Sequence, residues 1–373
     1  MKELGLDYKT LNIIKATITD TYSKVKFMGE LSDPFEIRTG VRQGDGLSPL
    51  LFNCALEKVV REWDRMTESG IRLGWKKKNI KIKCLAYADD MALLSEILEE
   101  TREQILELQK QAAKIGLNIS FEKTKVMTNI KNPPANLRVH GEKIEIVKAF
   151  KYLGEWIDWN ALETKTMELR KNKFELAFQL TKETYNKKSL SWGSKIKHYK
   201  TVVKPEALYA AETLTMNRTG QIEKLERKER KILRKIMGTK FQNGEIIYIK
   251  NDTLYKRTEK LSDTMKKRRI NFYGHLLRMD SNRLTKQIFD FFRNRVTRPN
   301  WFKEVDKDIR ELRIMEASLL DRSAKAFLRD ERIRFQDRSQ TRPKPVISEE
   351  ERKRRSDRMK RYWAQRKEQH TTQ

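Results

Sequence analysis

The sequence predicts an α+β fold, and three observations support that reading. Short stretches of period-two apolar alternation, such as Ile80, Ile82 and Cys84, lie among stretches with apolar residues at helical spacing, such as Leu51, Ala55, Val59 and Trp63. Their order of strand, helix, hairpin, helix and strands suits an antiparallel sheet backed by helices. Beyond Asp158 the chain changes to long, charged, mainly helical segments.

Residues 1–29 predict a helix, with Leu11 and Ile14 at helical spacing, followed by a strand in the alternating YSKVKFMG. FEIRTGV predicts the next strand, closed by the turn RQGDG. Ser48 stands where an N-cap belongs and Pro49 where a first helical residue belongs, opening a helix of about four or five turns. NIKIKCLAY and MALLS then form a hairpin with Asp89 and Asp90 at its tip. A helix over Glu96–Ile115 ends at Gly116, and LNISF, EKTKVM and AFKYLGEWI supply further strands. Later, IEKLERKERKILRKIMG is an amphipathic helix, and the segment from Arg257 to Val296 holds two more. Ser348 to Glu351 has the spacing of a capping box ahead of a basic tail.

The 373 residues carry a formal net charge of +29 and a pI near 9.9. Residues 1–157 hold 26 Lys and Arg against 22 Asp and Glu, whereas residues 158–373 hold 55 against 30. That asymmetry predicts a nearly neutral module followed by one that binds a polyanion. No apolar run reaches the ~20 residues that cross a bilayer, and the N-terminus lacks the apolar core of a signal peptide. The expectation is a protein without a membrane partner, nuclear and/or cytoplasmic. Cys54 and Cys84 lie in apolar contexts and read as free thiols, and the four scattered histidines offer no zinc-site spacing.

Adjacent Asp89 and Asp90 within an apolar run need a compensating cation. Paired carboxylates suit divalent metals that clamp the attacking and leaving oxygens of an in-line phosphoryl displacement. Two acids in a turn are also an ordinary solvated feature, so this pair alone does not decide its use.

Four ordered stretches carry more information: GVRQGDGLSPLLFNCALEKVV (40–60), AYADDMALLS (86–95), GLNISFEKTKVM (116–127) and FKYLGEWI (150–157). Together they resemble the successive motifs of reverse transcriptases of non-LTR (LINE-type) retrotransposons. The resemblance is dense over residues 1–157 and looser through RRINFYGHLLRMDSNRLTKQIF and NWFKEVDKDIREL. It implies a partial right-hand polymerase palm over 1–157, a helical basic thumb over 158–240, a basic helical region over 241–340 and a basic tail over 341–373. It also implies that Tyr87 to Asp90 form the catalytic turn, with Asp89 the main ligand and Asp90 its assistant in a two-Mg²⁺ site. Arg42, Gln43 and Gly44, with Tyr87, would line the incoming dNTP and the template. Lys123 would give a proton to departing pyrophosphate, and Phe150, Lys151, Tyr152, Leu153 and Gly154 would grip the primer end. For Phe150 and Leu153, ordinary sheet core is an equal alternative.

Two departures qualify the resemblance. Ser120 stands where the family usually has asparagine. The strand that carries the family's first catalytic aspartate is not among these residues, and Asp7, Asp33 and Asp45 are expected in turns and loops that cannot replace it. The function implied is RNA-directed DNA polymerase acting on an RNA template and a DNA primer or target, inactive alone for want of one carboxylate. The alternatives are a non-catalytic nucleic-acid-binding protein derived from a retroelement and a protein-interaction scaffold. Lys266 to Arg269 beside Phe272 and Tyr273 would suit phosphate contact with stacking, or the rings would be core. His275 is expected to pack. The tail Arg352–Lys367 reads equally as a DNA-binding helix, a nuclear-import signal or disorder.

Overall fold

The computed structural model describes residues 2–74, 80–159, 164–215, 220–238, 240–242, 245–247, 249–295, 297–314 and 319–320. The chain divides into two compact units, Met1–Asp308 and Ile309–Gln373.

Asp7 lies between the 3-10 turn Lys2–Leu4 and helix α1 (Tyr8–Ile18), which it caps by accepting from the Thr10 amide at 2.9 Å. Strands β1 (Tyr22–Ser23) and β4 (Phe35–Glu36) enclose β2 (Lys26–Phe27) and β3 (Glu30–Leu31) as nested antiparallel pairs. Helix α2 (Ser48–Met66) follows, then β5 (Ile71–Leu73) paired with β6 (Ile80–Ile82), and β7 (Cys84–Tyr87) paired with β8 (Asp90–Leu93). The N-cap of α2 is Leu47, one residue before Ser48, and it makes no side-chain cap bond. The Asp45 carboxylate instead accepts from the Leu47 amide at 3.1 Å.

Helix α3 (Leu98–Ala113) ends as expected, with Gly116 at φ 76°. The LNISF stretch is not a strand. β9 (Lys125–Val126) pairs in parallel with β11 (Glu142–Ile146), which pairs antiparallel with β10 (Asn136–Val139). The last hairpin of this half joins β12 (Ala149–Tyr152) to β13 (Glu155–Asp158). Among the described residues the antiparallel sheet is thus divided into small hairpins, with one mixed three-stranded sheet.

Two apolar clusters hold this half. Val59 and Trp63 of α2 meet Leu108 and Ala112 of α3, and the buried Trp63 indole donates to the Gln104 carbonyl at 3.0 Å. One turn earlier on α3, Ile105 is buried against Val126, Val139 and Ile144 of the three-stranded sheet.

The remainder of the first unit is mainly helical, which gives an α+β chain overall. Its elements are α4 (Thr164–Leu180), α5 (Lys182–Asn186), α6 (Trp192–His198), a π-helical turn (Tyr199–Val203) and α7 (Lys204–Leu208). Next come α8 (Gln221–Met237), the pair β14 (Lys240–Gln242) and β15 (Glu245–Ile247), and α9 (Asn251–Leu254). Helices α10 (Leu261–Leu277) and α11 (Leu284–Arg293), with α12 (Asn300–Leu312) as far as Asp308, complete it. Their core includes Phe174, Tyr199, Leu233, Leu254 and Leu261.

Within that core Glu229 of α8 is fully buried. It accepts from the Tyr199 hydroxyl at 2.9 Å, the Tyr255 hydroxyl at 3.1 Å and the Leu261 amide at 3.1 Å, with Lys204 Nζ at 3.9 Å. The stretch Lys266 to Arg269 is largely occupied in the same way. Lys267 pairs with Glu259, Arg268 donates to the Leu208 carbonyl, and Arg269 is buried on Asp308 at 2.8 Å. Tyr273 is buried and Phe272 lies edge-on to Trp301, so those rings are core. His275, expected to pack, is exposed.

In the second unit, Ile314 N–H closes on the Ile309 carbonyl at 3.1 Å. The capping box at Ser348 and the basic tail lie outside the described residues. No helix among the described residues is long and apolar enough to cross a membrane.

Candidate active site

Alternation along β7 and β8 divides the acidic hairpin into two faces. Cys84, Met91 and Leu93 pack against the cluster formed by α2 and α3, while Tyr87, paired with Asp90 across the strands, faces outward and is 66% exposed. Tyr87 and Asp90 close the hairpin, so Ala88 and Asp89 are its two-residue loop. Ala88 takes a left-handed φ of 51°, a conformation that costs a residue with a Cβ about 1–3 kcal/mol. Asp89 and Asp90 are therefore held forward on a bent, exposed tip, as expected. Neither carboxylate has an ion-pair partner among the described residues.

The base of the hairpin is fixed on both strands. Lys83, just before β7, donates to the Thr67 carbonyl at 2.6 Å and pairs with Asp64 at 2.9 Å, at the C-terminal end of α2 where a cation is favoured. Gln104, fully buried on α3, donates to the Leu94 carbonyl at 3.0 Å just after β8. Gly70 lies against this base at φ 143°, and a Cβ there would stand 3.0 Å from Lys83 Cγ and 3.1 Å from the Ile82 carbonyl oxygen. Burial pushes the Cys84 thiol up, with the Asp64 charge adding to it.

The β12–β13 hairpin reaches the acidic one through Tyr152, whose hydroxyl donates to the Leu85 carbonyl at 3.5 Å. Its phenol is raised first by burial and then by the negative charge of Asp90. Phe150 and Tyr152 are half-buried and Lys151 is exposed. Leu153 and Gly154 form the tight turn, at φ 48° and 87°, with Leu153 37% exposed at its tip and so outside the core.

Arg42, Gln43 and Gly44 occupy an exposed loop ahead of α2, with the Arg42 carbonyl accepting from the Asp45 amide at 3.4 Å. Lys123 is exposed in the turn before β9, where the Ser120 carbonyl accepts from both the amide and hydroxyl of Thr124. Among the described residues no ion pair joins Arg42 or Lys123 to the aspartates. The structure thus links Tyr87, Asp89 and Asp90 with Tyr152, and leaves the loop at 42–44 and Lys123 as separate exposed groups.

Lys83 and Gln104 are site residues that no sequence pattern marks. Each acts by donating to a backbone carbonyl, and a carbonyl partner leaves no mark in the sequence.

Two exposed carboxylates supply hard oxygen donors, the set Mg²⁺ prefers when it keeps waters and takes its remaining ligands from phosphates. The residues fit such an ion. No group of three His, Cys, Asp or Glu side chains comes together among the described residues.

Comparison with known proteins adds to this geometry. Residues 2–157 match the family described as reverse transcriptase (RNA-dependent DNA polymerase). The chain is 36% identical over 96 residues to a retrovirus-related Pol polyprotein from type-1 retrotransposable element R2 of Popillia japonica, covering 26% of this chain and 15% of that protein. A protein of the same description from Nasonia vitripennis is 39% identical over 80 residues, 21% of this chain and 7% of that one. The RNA-directed DNA polymerase from mobile element jockey of Drosophila funebris is 25% identical over 213 residues, 54% of this chain and 22% of that protein. The matched stretches thus span less than a quarter of each of these relatives.

Proposed function

We propose, from the premise that this chain carries a reverse transcriptase domain of the non-LTR retrotransposon kind, that it serves RNA-directed DNA synthesis through Asp89 and Asp90. The family uses a nucleic-acid template and primer, nucleotide substrates and divalent metal ions. The observation that carries the reading is the pair of exposed, uncommitted carboxylates on a hairpin anchored at its base by Lys83 and Gln104.

In this reading Asp89 and Asp90 hold Mg²⁺, which supplies charge stabilisation to the attacking and leaving oxygens of phosphoryl transfer. Arg42 and Gln43 offer donors to the phosphates of the incoming nucleotide and to template edges, and Gly44, at φ 91°, lets the backbone come close. Tyr87 stands on the outer face beside Asp90 and lines the nucleotide. Lys123, exposed and cationic, donates a proton to departing pyrophosphate. Phe150 to Gly154 receive the primer end. Residues 158–240 form a thumb and the basic helices beyond it bind the duplex or target DNA through phosphates, in a sequence-independent and salt-sensitive way.

Two carboxylates balance less charge on two Mg²⁺ ions than three do. Residues 1–373 by themselves are therefore proposed to bind template and primer without extending it. The test is primer extension in a chain lengthened at its N-terminus by a strand bearing a further aspartate. Asp89→Asn should lower extension there by at least ~100-fold, the scale of ~1 Å misplacement of reacting groups, while duplex affinity stays within about twofold. A reading as nucleic-acid binder alone predicts no extension in either version. Robust extension by residues 1–373 would overturn the two-carboxylate argument.

A further inference from the structure

We infer that Tyr209 and Arg170 are positioning residues which lock the Leu153–Gly154 turn to the helices that follow it, and so set where the primer's 3′ end lies relative to Asp89 and Asp90. This inference rests on the reading of residues 150–154 as the primer-end hairpin.

Helix α7 stops at Leu208, because Tyr209 is extended (φ −59°, ψ 127°) and Ala210 is left-handed (φ 46°, ψ 26°). A helix that stops leaves its last carbonyls without helical partners. Here side chains from distant elements take them. Arg170 of α4, almost fully buried, donates to the carbonyls of Ala207 (3.0 Å) and Tyr209. Arg268 of α10 donates to the Leu208 carbonyl at 2.7 Å, and the Trp301 indole of α12 donates to the Glu212 carbonyl at 2.8 Å. The segment 207–212 is thereby tied to three helices.

The same segment reaches the turn. The Tyr209 hydroxyl donates to the Leu153 carbonyl at 2.7 Å. Its ring covers Gly154 so closely that a Cβ there would lie 3.3 Å from Tyr209 Cε1. Arg170 uses its other terminal nitrogen on the Glu155 carboxylate at 2.9 Å, one residue past the turn. Burial raises the Glu155 carboxyl, and Arg170 opposes that by favouring its ionised form.

Tyr209 itself is about half exposed, so it adds little to the core. Among the described residues its hydroxyl bonds to the carbonyl of Leu153, in the turn proposed to receive the primer end. On the other side, the same hairpin meets the acidic one through Tyr152 and the Leu85 carbonyl. The turn is therefore held between the helical region and the aspartate hairpin, and Tyr209 fixes its height.

The experiment uses the full chain with an RNA–DNA hybrid carrying 4-thiothymidine at the primer's 3′ end, photo-crosslinked and mapped by peptide mass spectrometry. The wild-type chain should crosslink within residues 150–154. Tyr209→Phe, which keeps the ring and loses the hydroxyl, should cut that crosslink about five- to tenfold, the reach of one lost hydrogen bond. Duplex affinity should stay within about twofold and the unfolding midpoint within ~2 °C. Gly154→Ala, which drives a Cβ toward the Tyr209 ring, should lower the crosslink in the same way. A crosslink that Tyr209→Phe leaves unchanged overturns the latch alone. A fall of crosslink, affinity and thermal stability together overturns it too, by making Tyr209 merely structural. Absence of any wild-type crosslink at 150–154 overturns the primer-end reading beneath it, and the latch with it.

Discussion

At Gly70 the backbone sits at φ 143° with the Ile82 carbonyl and Lys83 side chain within 3.1 Å of where a Cβ would be. Lys83 is the residue that pins β7 to the end of α2, so this glycine underlies the position of the aspartates seven and eight residues beyond Ile82. Gly70→Ala should lower stability by about 1–3 kcal/mol, the cost of a strained conformation with crowded backbone, read as a lower denaturant midpoint. An unchanged midpoint would show that the base of the hairpin can relax freely. Ala88 is the counterpart at the tip, a non-glycine residue kept left-handed between Tyr87 and the acids. The adjacency of Asp89 and Asp90 was legible in the sequence as chemistry, and so was their hairpin. The residues that hold that hairpin in place were not, because Lys83 and Gln104 look like any other lysine and glutamine until their carbonyl partners are known.

Among the elements, those with strong periodicity matched their expectation: α2, α3, α8 and the β7–β8 pair follow their apolar spacing, and Gly116 ends α3. The hairpin of β10 and β11 is an addition to the elements expected from the sequence: His140 and Gly141 at φ 49° and 84° make a tight turn between Leu137, Val139 and Ile144. Its signal was the His-Gly pair flanked by alternating apolar residues. Ser48 is the first residue of α2 because the cap position falls on the preceding Leu47, and LNISF, whose alternating apolar residues suggest a strand, packs Ile119 and Phe121 against α3 and its sheet without pairing. The helical elements meet around Glu229. Burial raises its carboxyl above the ordinary value of 4.5 despite Lys204 and three hydrogen bonds, and burial likewise lowers the Lys204 ammonium. A carboxyl whose folded value is raised stabilises most at and below 4.5 and loses that contribution as pH climbs through the folded value. The unfolding midpoint of the wild type, relative to Glu229→Gln, should therefore rise as pH is lowered from 7 toward 4.5. A difference independent of pH would mean that Glu229 titrates alike in both states.

Across the whole molecule, not all of the 81 Lys and Arg side chains are available to phosphates. Arg170 and Arg269 are buried, and Lys228, Arg230 and Lys267 are paired with Glu175, Glu226 and Glu259. Polyanion binding was read from that charge, yet composition could not separate lysines that face solvent from arginines that build the core. The central claim is that Asp89 and Asp90 gather a divalent metal. It is tested most directly by replacing Mg²⁺ with Fe²⁺ in the full chain bound to an RNA–DNA hybrid and a nucleotide, then adding ascorbate and peroxide. Radicals made at the metal should cut the polypeptide close to residues 87–90 and near the Tyr152 contact, and those cuts should vanish in the Asp89→Asn, Asp90→Asn double variant. Cuts at other positions, or cuts at the hairpin that survive the double substitution, would contradict the account.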